Sequence, residues 1–296
     1  MEISIKNLNK IYPGGYNALH DVNLTIREGM FGLLGPNGAG KSTLMRILVT
    51  LINPTSGEII IDGKNIQHHR REIRKKTGYL PQDFRFFTKL RCREFLDYSA
   101  RLAGIVSKKE RSKRIDEMLE SVGLYEHRNR MANKLSGGMK RRLGIAQALI
   151  AYPSIIIVDE PTTGLDPEER IRFRNVLSDL SRSDIIIILS THIVGDISST
   201  CNHMALLNEG ELIYNGTPDT LVENTKGYVW IAEVDEDQFI ELKNSYPIIS
   251  TIPNGNGWEV QFVGQKPDNL TVRKIDPNLE HAYVHYMDNK LNHWDL

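Results

Sequence analysis

The chain has 296 residues, 40% hydrophobic and 25% charged, and its 37 basic side chains balance 37 acidic ones. This mixture is typical of a globular protein and excludes a disordered chain or a wholly basic one that coats nucleic acid. Its only cysteines, Cys92 and Cys201, are too few for a disulfide framework or a metal cluster, so we expect a reducing compartment. The aliphatic runs are far shorter than the ~20 residues of a membrane-spanning helix.

The first third of the chain is predicted to form strands joined by turns, with one helix. Apolar residues alternate along Ile3–Leu8 and Val22–Ile26, which is typical of half-buried strands, and we expect no secretory signal before them. Met30–Leu34 is a short apolar run that stops at a glycine-rich segment, and Ser42–Leu51 continues from there as a helix. Glu58–Asp62 is predicted to be a strand entering a turn at the next glycine.

Helices are predicted for residues 83–150, and strands return after them. Apolar residues of Ile115–Val122 recur at helical spacing, and Arg91–Gly104 and Gly137–Ala151 are also predicted to be helical. The chain then continues as a buried strand, a helix and a second buried strand: Ile155–Val158, Pro167–Leu180 and Ile185–Ser190. Continuous apolar strands that alternate with helices indicate a mainly parallel sheet covered on both faces.

The remainder of the chain is predicted to be a small α+β region. It comprises a strand, a helix and two further strands, at Tyr228–Val234, Asp235–Asn244, Ile248–Ile252 and Trp258–Val263. We therefore predict a core of residues 1–82 and 151–217, a helical segment of residues 83–150 and an accessory domain of residues 218–296. The charges that sum to zero are unevenly distributed along the chain. Residues 83–150 hold 16 basic and 8 acidic side chains, whereas residues 219–296 hold 6 basic and 13 acidic ones.

A phosphate-binding loop is predicted between the Met30–Leu34 strand and the helix after it. The motif G-x-x-x-x-G-K-[ST] is matched by Gly35, Pro36, Asn37, Gly38, Ala39, Gly40, Lys41 and Ser42. Glycines let backbone N–H groups approach phosphates, Lys41 can reach the β- and γ-phosphates, and Ser42 can bind Mg²⁺. The alternative, a chance glycine loop, is disfavoured by the strand–loop–helix context.

The phosphate-binding loop favours a functional interpretation of two further segments. The strand Ile155–Val158 ends in Asp159 and Glu160, which are delivered to the edge where open α/β sheets bind ligands. Asp159 is expected to hold Mg²⁺, and Glu160 to polarise the water that attacks the γ-phosphate. Before the helix that ends near Ala151, Ser136 and two glycines form a cap that exposes backbone donors to an anion. That segment comprises Leu135, Ser136, Gly137, Gly138 and Met139.

Together these motifs resemble the nucleotide-binding domain of an ABC (ATP-binding cassette) ATPase over roughly residues 1–217. In chain order they are GPNGAGKST at 35–43, YLPQ at 79–82, LSGGM at 135–139, IIIVDEPTTGLD at 155–166 and STH at 190–192. By this resemblance Thr43 completes the nucleotide-binding loop, and Gln82 matches the glutamine that touches the metal and the attacking water. Asp166 matches the D-loop at the dimer interface, His192 the switch histidine facing the γ-phosphate, and Tyr12 the aromatic that stacks on adenine.

The resemblance also implies partners and a location. Two such domains pair head to tail, with each ATP and its Mg²⁺ between one copy's phosphate loop and the other copy's Ser136–Gly138. Either a homodimer or a heterodimer is expected, docked on integral membrane permease subunits of separate chains at the inner face of the cell membrane. The segment from Gln82 to Gly104 and the tail Asn278–Tyr283 resemble ATPases of ABC-2-type exporters, although Tyr283 replaces the usual phenylalanine.

Two alternatives to an export motor remain at this stage, and a third is disfavoured by the motifs. An importer motor would carry the same motifs. A soluble ABC ATPase that acts on ribosomes or nucleic acid would usually have two cassettes or a long coiled coil, and the acidic tail does not favour nucleic acid as a partner. A P-loop kinase would not explain LSGGM or His192.

Overall fold

The computed structural model describes residues 1–84, 89–181, 184–255 and 257–291. Residues 85–88 of the predicted helical segment and residues 292–296 of the predicted accessory domain lie outside this part. Contacts between residues divide the chain into two units, Met1–Asn215 and Gly216–Leu296. The domain boundaries drawn from the sequence stay a prediction.

A four-stranded antiparallel sheet begins the first unit. Its strands are β1 (Glu2–Ile11), β2 (Asn17–Arg27), β4 (Ser56–Ile61) and β5 (Lys64–Asn65), in the order β2-β1-β4-β5. The alternation seen in the sequence has its cause here, since Val22, Leu24 and Ile26 point into the core while the residues between them are exposed.

The second sheet of this unit is mainly parallel and carries the predicted motif strands. Its strands are β3 (Gly29–Leu34), β6 (Thr77–Leu80), β7 (Ile155–Asp159), β8 (Ile186–Thr191), β9 (His203–Asn208) and β10 (Glu211–Gly216), in the order β10-β9-β3-β8-β7-β6. From β9 to β6 the neighbouring strands run parallel. The carboxyl ends of β3, β7 and β8 therefore lie side by side, which is where the chemistry-bearing residues were predicted.

Helices surround these sheets. They are α1 (Lys41–Leu48), α2 (Arg70–Lys76), α3 (Cys92–Leu102), α4 (Lys108–Ser121), α5 (Gly137–Leu149), α6 (Pro167–Leu180) and α7 (Val194–Ser198), with short 3-10 turns at Tyr125–His127 and Ala132–Lys134. The predicted helical segment is formed by α3, α4 and α5, which contact one another. The main core lies between the two sheets and includes Leu33 of β3, Leu44 of α1 and Ile157 of β7.

The second unit has its own antiparallel sheet and core. Its strands are β11 (Val229–Val234), β12 (Ile248–Asn254), β13 (Gly257–Val263) and β14 (Arg273–Lys274), in the order β12-β13-β11-β14. Its helices are α8 (Pro218–Asn224), α9 (Glu236–Ser245) and α10 (Leu279–Leu291). Val260 and Phe262 of β13 are fully buried in a cluster with Leu242 of α9.

The predicted fold class is confirmed: an α/β core with a mainly parallel sheet, an antiparallel subdomain, a helical segment and a C-terminal α+β region. The helices α2, α7, α8 and α10 were not predicted from the sequence. None of the helices within the described residues combines the length and apolar character that crossing a membrane requires.

Candidate nucleotide-binding site

The predicted phosphate loop connects β3 to α1, and its glycines are required by close backbone packing. A Cβ atom at Gly35 would lie 2.1 Å from the carbonyl oxygen of Leu207, and one at Gly40 would lie 2.4 Å from that of Ala18. Gly40 also has a φ of 104° and is the residue before α1 begins. These positions bring the backbone N–H groups of the loop together at the N-terminus of a helix, an arrangement suited to anions.

Lys41 starts α1 and is almost fully buried. Its ammonium donates to the carbonyl oxygens of Gly35 at 2.7 Å and Pro36 at 2.9 Å. It also lies 3.2 Å from Oε1 of Glu160, with both side chains at most 6% exposed. Because a buried charge is costly without a partner, this ion pair is central to the electrostatics of the site.

Glu160 lies between this lysine and a histidine. Oε2 of Glu160 is 3.0 Å from Nδ1 of His192 and accepts a hydrogen bond from the Thr163 hydroxyl at 3.2 Å. Burial by itself would raise the pKa of the Glu160 carboxyl, but the charges of Lys41 and His192 and their hydrogen bonds outweigh burial and lower it. Glu160 is therefore ionised at neutral pH, as a residue that accepts a proton must be.

The backbone at Glu160 is unusual for a residue with a side chain. Its φ is 45°, in the left-handed region, directly after β7 ends at Asp159. Its N–H donates to the backbone oxygen of Ser190 at 3.1 Å and to Oγ of Ser190 at 3.0 Å. Such conformations persist only where the surroundings hold them, and they concentrate at functional sites. Here the neighbouring strand β8 supplies both acceptors.

Asp159 and Ser42 bring oxygen atoms together at the predicted metal position. Oδ1 of Asp159 accepts hydrogen bonds from the hydroxyls of Ser190 at 2.5 Å and Ser42 at 3.2 Å. The carboxylate is only 1% exposed. Carboxylate and hydroxyl oxygens are the ligands that Mg²⁺ prefers, and Mg²⁺ completes its shell with phosphate and water. In the described part of the chain no group of three or more His, Cys, Asp or Glu residues could hold a metal by itself.

A cleft of about 300 Å³ lies over the phosphate loop. It is lined by Tyr16, Asn37, Gly38, Ala39, Gly40, Lys41, Ser42, Thr43, Gln82 and Glu160. A larger open groove of about 560 Å³ includes Met1, Arg27 and Asp62, but it is not lined by the glycine-rich loop or the buried acids. The smaller cleft is therefore the candidate ligand site.

The two tyrosines before β2 occupy different places. The Tyr16 hydroxyl donates to the Gly38 carbonyl oxygen at 3.3 Å, and the Tyr12 hydroxyl lies 3.4 Å from Oγ1 of Thr43. Their rings stack with centroids 6.4 Å apart and an angle of 22° between their planes. Tyr16 lines the cleft and Tyr12 packs beside it, and the adenine role given to Tyr12 stays a prediction.

The LSGGM segment forms the capped start of α5. The Ser136 hydroxyl accepts a hydrogen bond from the Met139 N–H at 3.2 Å, as expected for a helix N-cap. Ser136 and Gly137 are exposed, whereas Leu135 and Gly138 are buried. None of the residues 135–139, all of which are described, lines the cleft over the phosphate loop of the same chain.

Known proteins are similar to this chain over most of its length. A family model described as "ABC transporter" matches residues 19–163. The bacitracin transport ATP-binding protein BcrA of Bacillus licheniformis is 36% identical over 246 residues, covering 82% of this chain and 79% of that protein. This chain belongs to the ABC transporter ATP-binding proteins. The methionine import ATP-binding protein MetN 2 of Bacillus anthracis is 37% identical over 289 residues, covering 93% of this chain and 84% of that protein.

Solved structures of ABC ATPases share the fold. A dimeric post-hydrolysis structure of the ATP-binding cassette MJ0796 bound to ADP and Pi is 30% identical with a TM-score of 0.67, covering 73% of this chain and 98% of that one. The cbiO1 structure from Clostridium perfringens, part of the transporter complex cbiONQ, is 28% identical with a TM-score of 0.69, covering 82% and 94%. The chain is thus an ABC transporter ATPase with the expected architecture.

Several residues around the site of this ABC ATPase were not singled out from the sequence. Ser190 was quoted only within the STH motif, yet it contacts both Asp159 and Glu160 because β7 and β8 pair with Asp159 opposite Ser190. Arg141 of α5 donates to the backbone oxygen of Gln82 at 2.8 Å. Burial lowers the pKa of Arg141, although the negative charges of Asp83, Asp159 and Glu160 act to raise it. Only the strand order and helix packing could have identified these contacts.

Proposed function

We propose that two copies of this ABC ATPase close around Mg-ATP, and that closure and hydrolysis drive export through separate membrane subunits. The observation that carries the proposal is the position of the Glu160 carboxylate, within 3.2 Å of Lys41 and 3.0 Å of His192. A buried, ionised carboxylate at the cleft is suited to accept the proton of a water that attacks the γ-phosphate.

Mg²⁺ and ATP each have residues suited to them. Ser42 and Asp159 would hold Mg²⁺, with Gln82 at the rim of the same cleft. When bound, Mg²⁺ offsets the negative charge of the β- and γ-phosphates. The loop N–H groups and Lys41 bind and orient those phosphates, and His192 and Thr163 hold the Glu160 carboxylate in place.

The dimer is supported by the position of the LSGGM segment, residues 135–139, which does not line the cleft of its own chain. The start of α5 presents Ser136 and Gly137 to solvent, away from the phosphate loop of the same chain. A helix N-terminus of this kind binds anions, and the MJ0796 cassette is described as dimeric. We therefore expect Ser136–Gly138 of one copy to complete the ATP site of the other, with Asp166 at the interface.

Export is the direction we favour. The segment from Gln82 to Gly104 and residues Asn278–Tyr283, where α10 begins, resemble ABC-2-type exporter ATPases, and BcrA is described as a bacitracin transport protein. Import is the second candidate, because MetN 2 matches 93% of this chain. In either case the chain would lie at the inner face of the membrane on permease subunits.

The ATPase part of the proposal is tested with Glu160→Gln. This change keeps the size of the side chain and removes the proton acceptor, so we expect phosphate release to stop while an ATP-bound dimer accumulates. Phosphate release and light scattering after gel filtration measure the two effects. The matched control is Glu126→Gln, at an exposed position of a 3-10 turn. Normal turnover by Glu160→Gln would remove Glu160 from its role.

Direction is tested with the permease. Purifying the chain from membranes should recover an integral membrane partner, which is then placed in lipid vesicles with the ATP-binding face outside. Export predicts that ATP moves the substrate into the vesicle lumen, away from the ATPase, and import predicts the reverse. Recovery of ribosomes or DNA in place of a membrane protein would overturn the transport assignment.

A further inference from the structure

Glu169 in the first turn of α6 links the two segments predicted to face a partner copy. Its N–H donates to Oδ1 of Asp166, the N-cap residue of α6, at 2.8 Å. Its carboxylate lies against α5, where a Cβ atom at Gly138 would be only 2.2 Å from Oε2 of Glu169. The carboxylate thus occupies the space that a side chain at position 138 would need. One residue contacts both the D-loop end of α6 and the LSGGM end of α5.

A buried arginine fixes this carboxylate. Arg142 of α5 is 8% exposed, and its Nε lies 3.5 Å from Oε2 of Glu169. Its NH1 donates to the backbone oxygens of Val122 at 3.0 Å and Gly123 at 3.3 Å, which anchors it at the end of α4. Within the described residues, Nε of Arg142 and Oε2 of Glu169 are buried with no hydrogen-bond partner, so each depends on the charge of the other. Breaking such a pair leaves an uncompensated buried charge.

Arg172, one turn further along α6, completes the cluster. Its NH1 lies 3.6 Å from Oε1 of Glu169, and the same guanidinium also pairs with Glu168. The side chain of Glu168 is 75% exposed, whereas that of Glu169 is 17% exposed. Two adjacent glutamates therefore differ in their contact with α5, which makes Glu168 a matched control for Glu169.

We propose that Glu169 is a positioning residue that holds the start of α5 in register with the start of α6, so that Ser136–Gly138 and Asp166 reach the partner's ATP together. The inference rests on the proposed dimer. Glu169 does not line the cleft of its own chain, where every lining residue is named above. Its loss should therefore impair the ATP site of the partner copy and spare its own.

The first test measures dimerisation. In the Glu160→Gln background, in which we expect ATP to stay bound, Glu169→Gln keeps the shape of the side chain and removes its charge. We expect nucleotide affinity of the monomer to stay unchanged in a fluorescent-ATP titration. The dissociation constant of the ATP-bound dimer should rise by about tenfold or more, equivalent to about 1.4 kcal/mol. Glu168→Gln should leave both values unchanged.

The second test uses mixed dimers and separates positioning from a general loss of structure. One copy carries Glu169→Gln and the other carries Lys41→Ala, so both defects fall on the same composite site if Glu169 acts on the partner. We expect this dimer to hydrolyse ATP at the rate of a wild-type copy paired with Lys41→Ala. Placing both changes in one copy opposite a wild-type copy should lower turnover well below that rate, because each site then has one defect.

The outcomes discriminate between the proposals. Equal dimerisation with and without Glu169→Gln, or the reverse pattern in the mixed dimers, overturns the positioning role alone. A Glu160→Gln chain that binds ATP but stays monomeric overturns the proposed dimer and this inference with it. If the dimer of a wild-type copy and a Lys41→Ala copy hydrolyses no ATP, the mixed dimers give no rate to compare. The dissociation constants of the first test then decide whether Glu169 has the positioning role.

Discussion

The two units of this ABC ATPase differ in what their interiors contain. Next to the apolar core of the first unit, Lys41, Asp159 and Glu160 are each at most 5% exposed and connected by ion pairs and hydrogen bonds. The hydrophobic cluster of the second unit is built from apolar and aromatic side chains such as Val260 and Phe262, and the buried polar residues among its described positions are Thr225, His281 and His285. A buried charge tolerates few replacements because its partners must match, whereas an apolar core accepts many residues of similar volume. The first unit therefore carries the motifs on which the family assignment rests.

Lys41→Ala would produce the largest effect and tests the polar side of this comparison. Removing the ammonium takes away a phosphate contact and leaves Glu160 buried without its cation, so ATP binding should weaken by about 2–5 kcal/mol. A fluorescent-nucleotide titration measures the loss. Lys64→Ala, at a half-buried lysine paired with Glu72, should bind ATP normally. Unchanged affinity in Lys41→Ala would contradict the phosphate-loop assignment.

Phe262→Ala tests the apolar side. Phe262 is fully buried, and its ring lies 5.1 Å from that of Tyr246. Truncating it should destabilise the second unit by about 3–5 kcal/mol through lost burial and a cavity. Urea unfolding followed by tryptophan fluorescence measures this change, with Ile240→Ala, 52% exposed, as the control. ATP affinity should be unaffected; a decrease as large as that of Lys41→Ala would remove the distinction between the units.

Ser136→Arg should destabilise the chain less than Phe262→Ala does. It tests whether the start of α5 contacts the ATP of the partner copy. The change removes an N-cap worth about 0.5–2 kcal/mol and places a bulky cation where the partner's ATP is expected. We expect normal nucleotide binding by the monomer and no ATP-dependent dimer, measured by light scattering. Ser107→Arg removes the comparable N-cap of α4, which accepts from the Glu110 N–H at 3.3 Å. That control should still dimerise, and normal closure by Ser136→Arg would refute the composite site.

The smallest expected effect is the pH dependence of the second unit. Burial lowers the pKa of His285, with Asp288 opposing, while its ring stacks on Tyr228 with centroids 4.6 Å apart. The unfolded chain therefore binds a proton at His285 more readily than the folded chain does. The free energy of unfolding is highest above about pH 6.5 and falls as the pH decreases below that value. A difference of one unit between the folded and unfolded pKa values changes the free energy of unfolding by about 1.4 kcal/mol.

Urea unfolding at two pH values checks this dependence. His285→Phe keeps an aromatic ring against Tyr228 and cannot titrate, so its stability should change less between pH 7.5 and pH 5.5 (about one pH unit either side of the ordinary histidine value). Burial also lowers the pKa of His281, so part of the dependence should remain. His68→Phe, at an exposed position of the first unit, is the control. An unchanged dependence in His285→Phe would show that burial of this ring is not its source.

Local patterns predicted the elements that carry the site. The P-loop residues are consecutive, and glycine, lysine and serine at this spacing between a strand and a helix have essentially one way to fold. The α6 helix was predicted with its observed bounds, Pro167–Leu180, because Asp166 caps it and a proline follows at its first position. In contrast, α10 was not predicted, and its buried positions include the polar residues His281 and His285.

The motifs predict the chemistry, namely a loop for phosphates, an oxygen pair suited to Mg²⁺ and a carboxylate that can take a proton, and they indicate the family. Which residues meet depends on the tertiary structure. Ser42 and Asp159 are 117 positions apart and touch because β3, β8 and β7 lie side by side in parallel. Glu169 reaches Gly138 because α5 packs on α6. Strand order and helix packing depend on the burial of the whole core, and no local stretch of sequence encodes that.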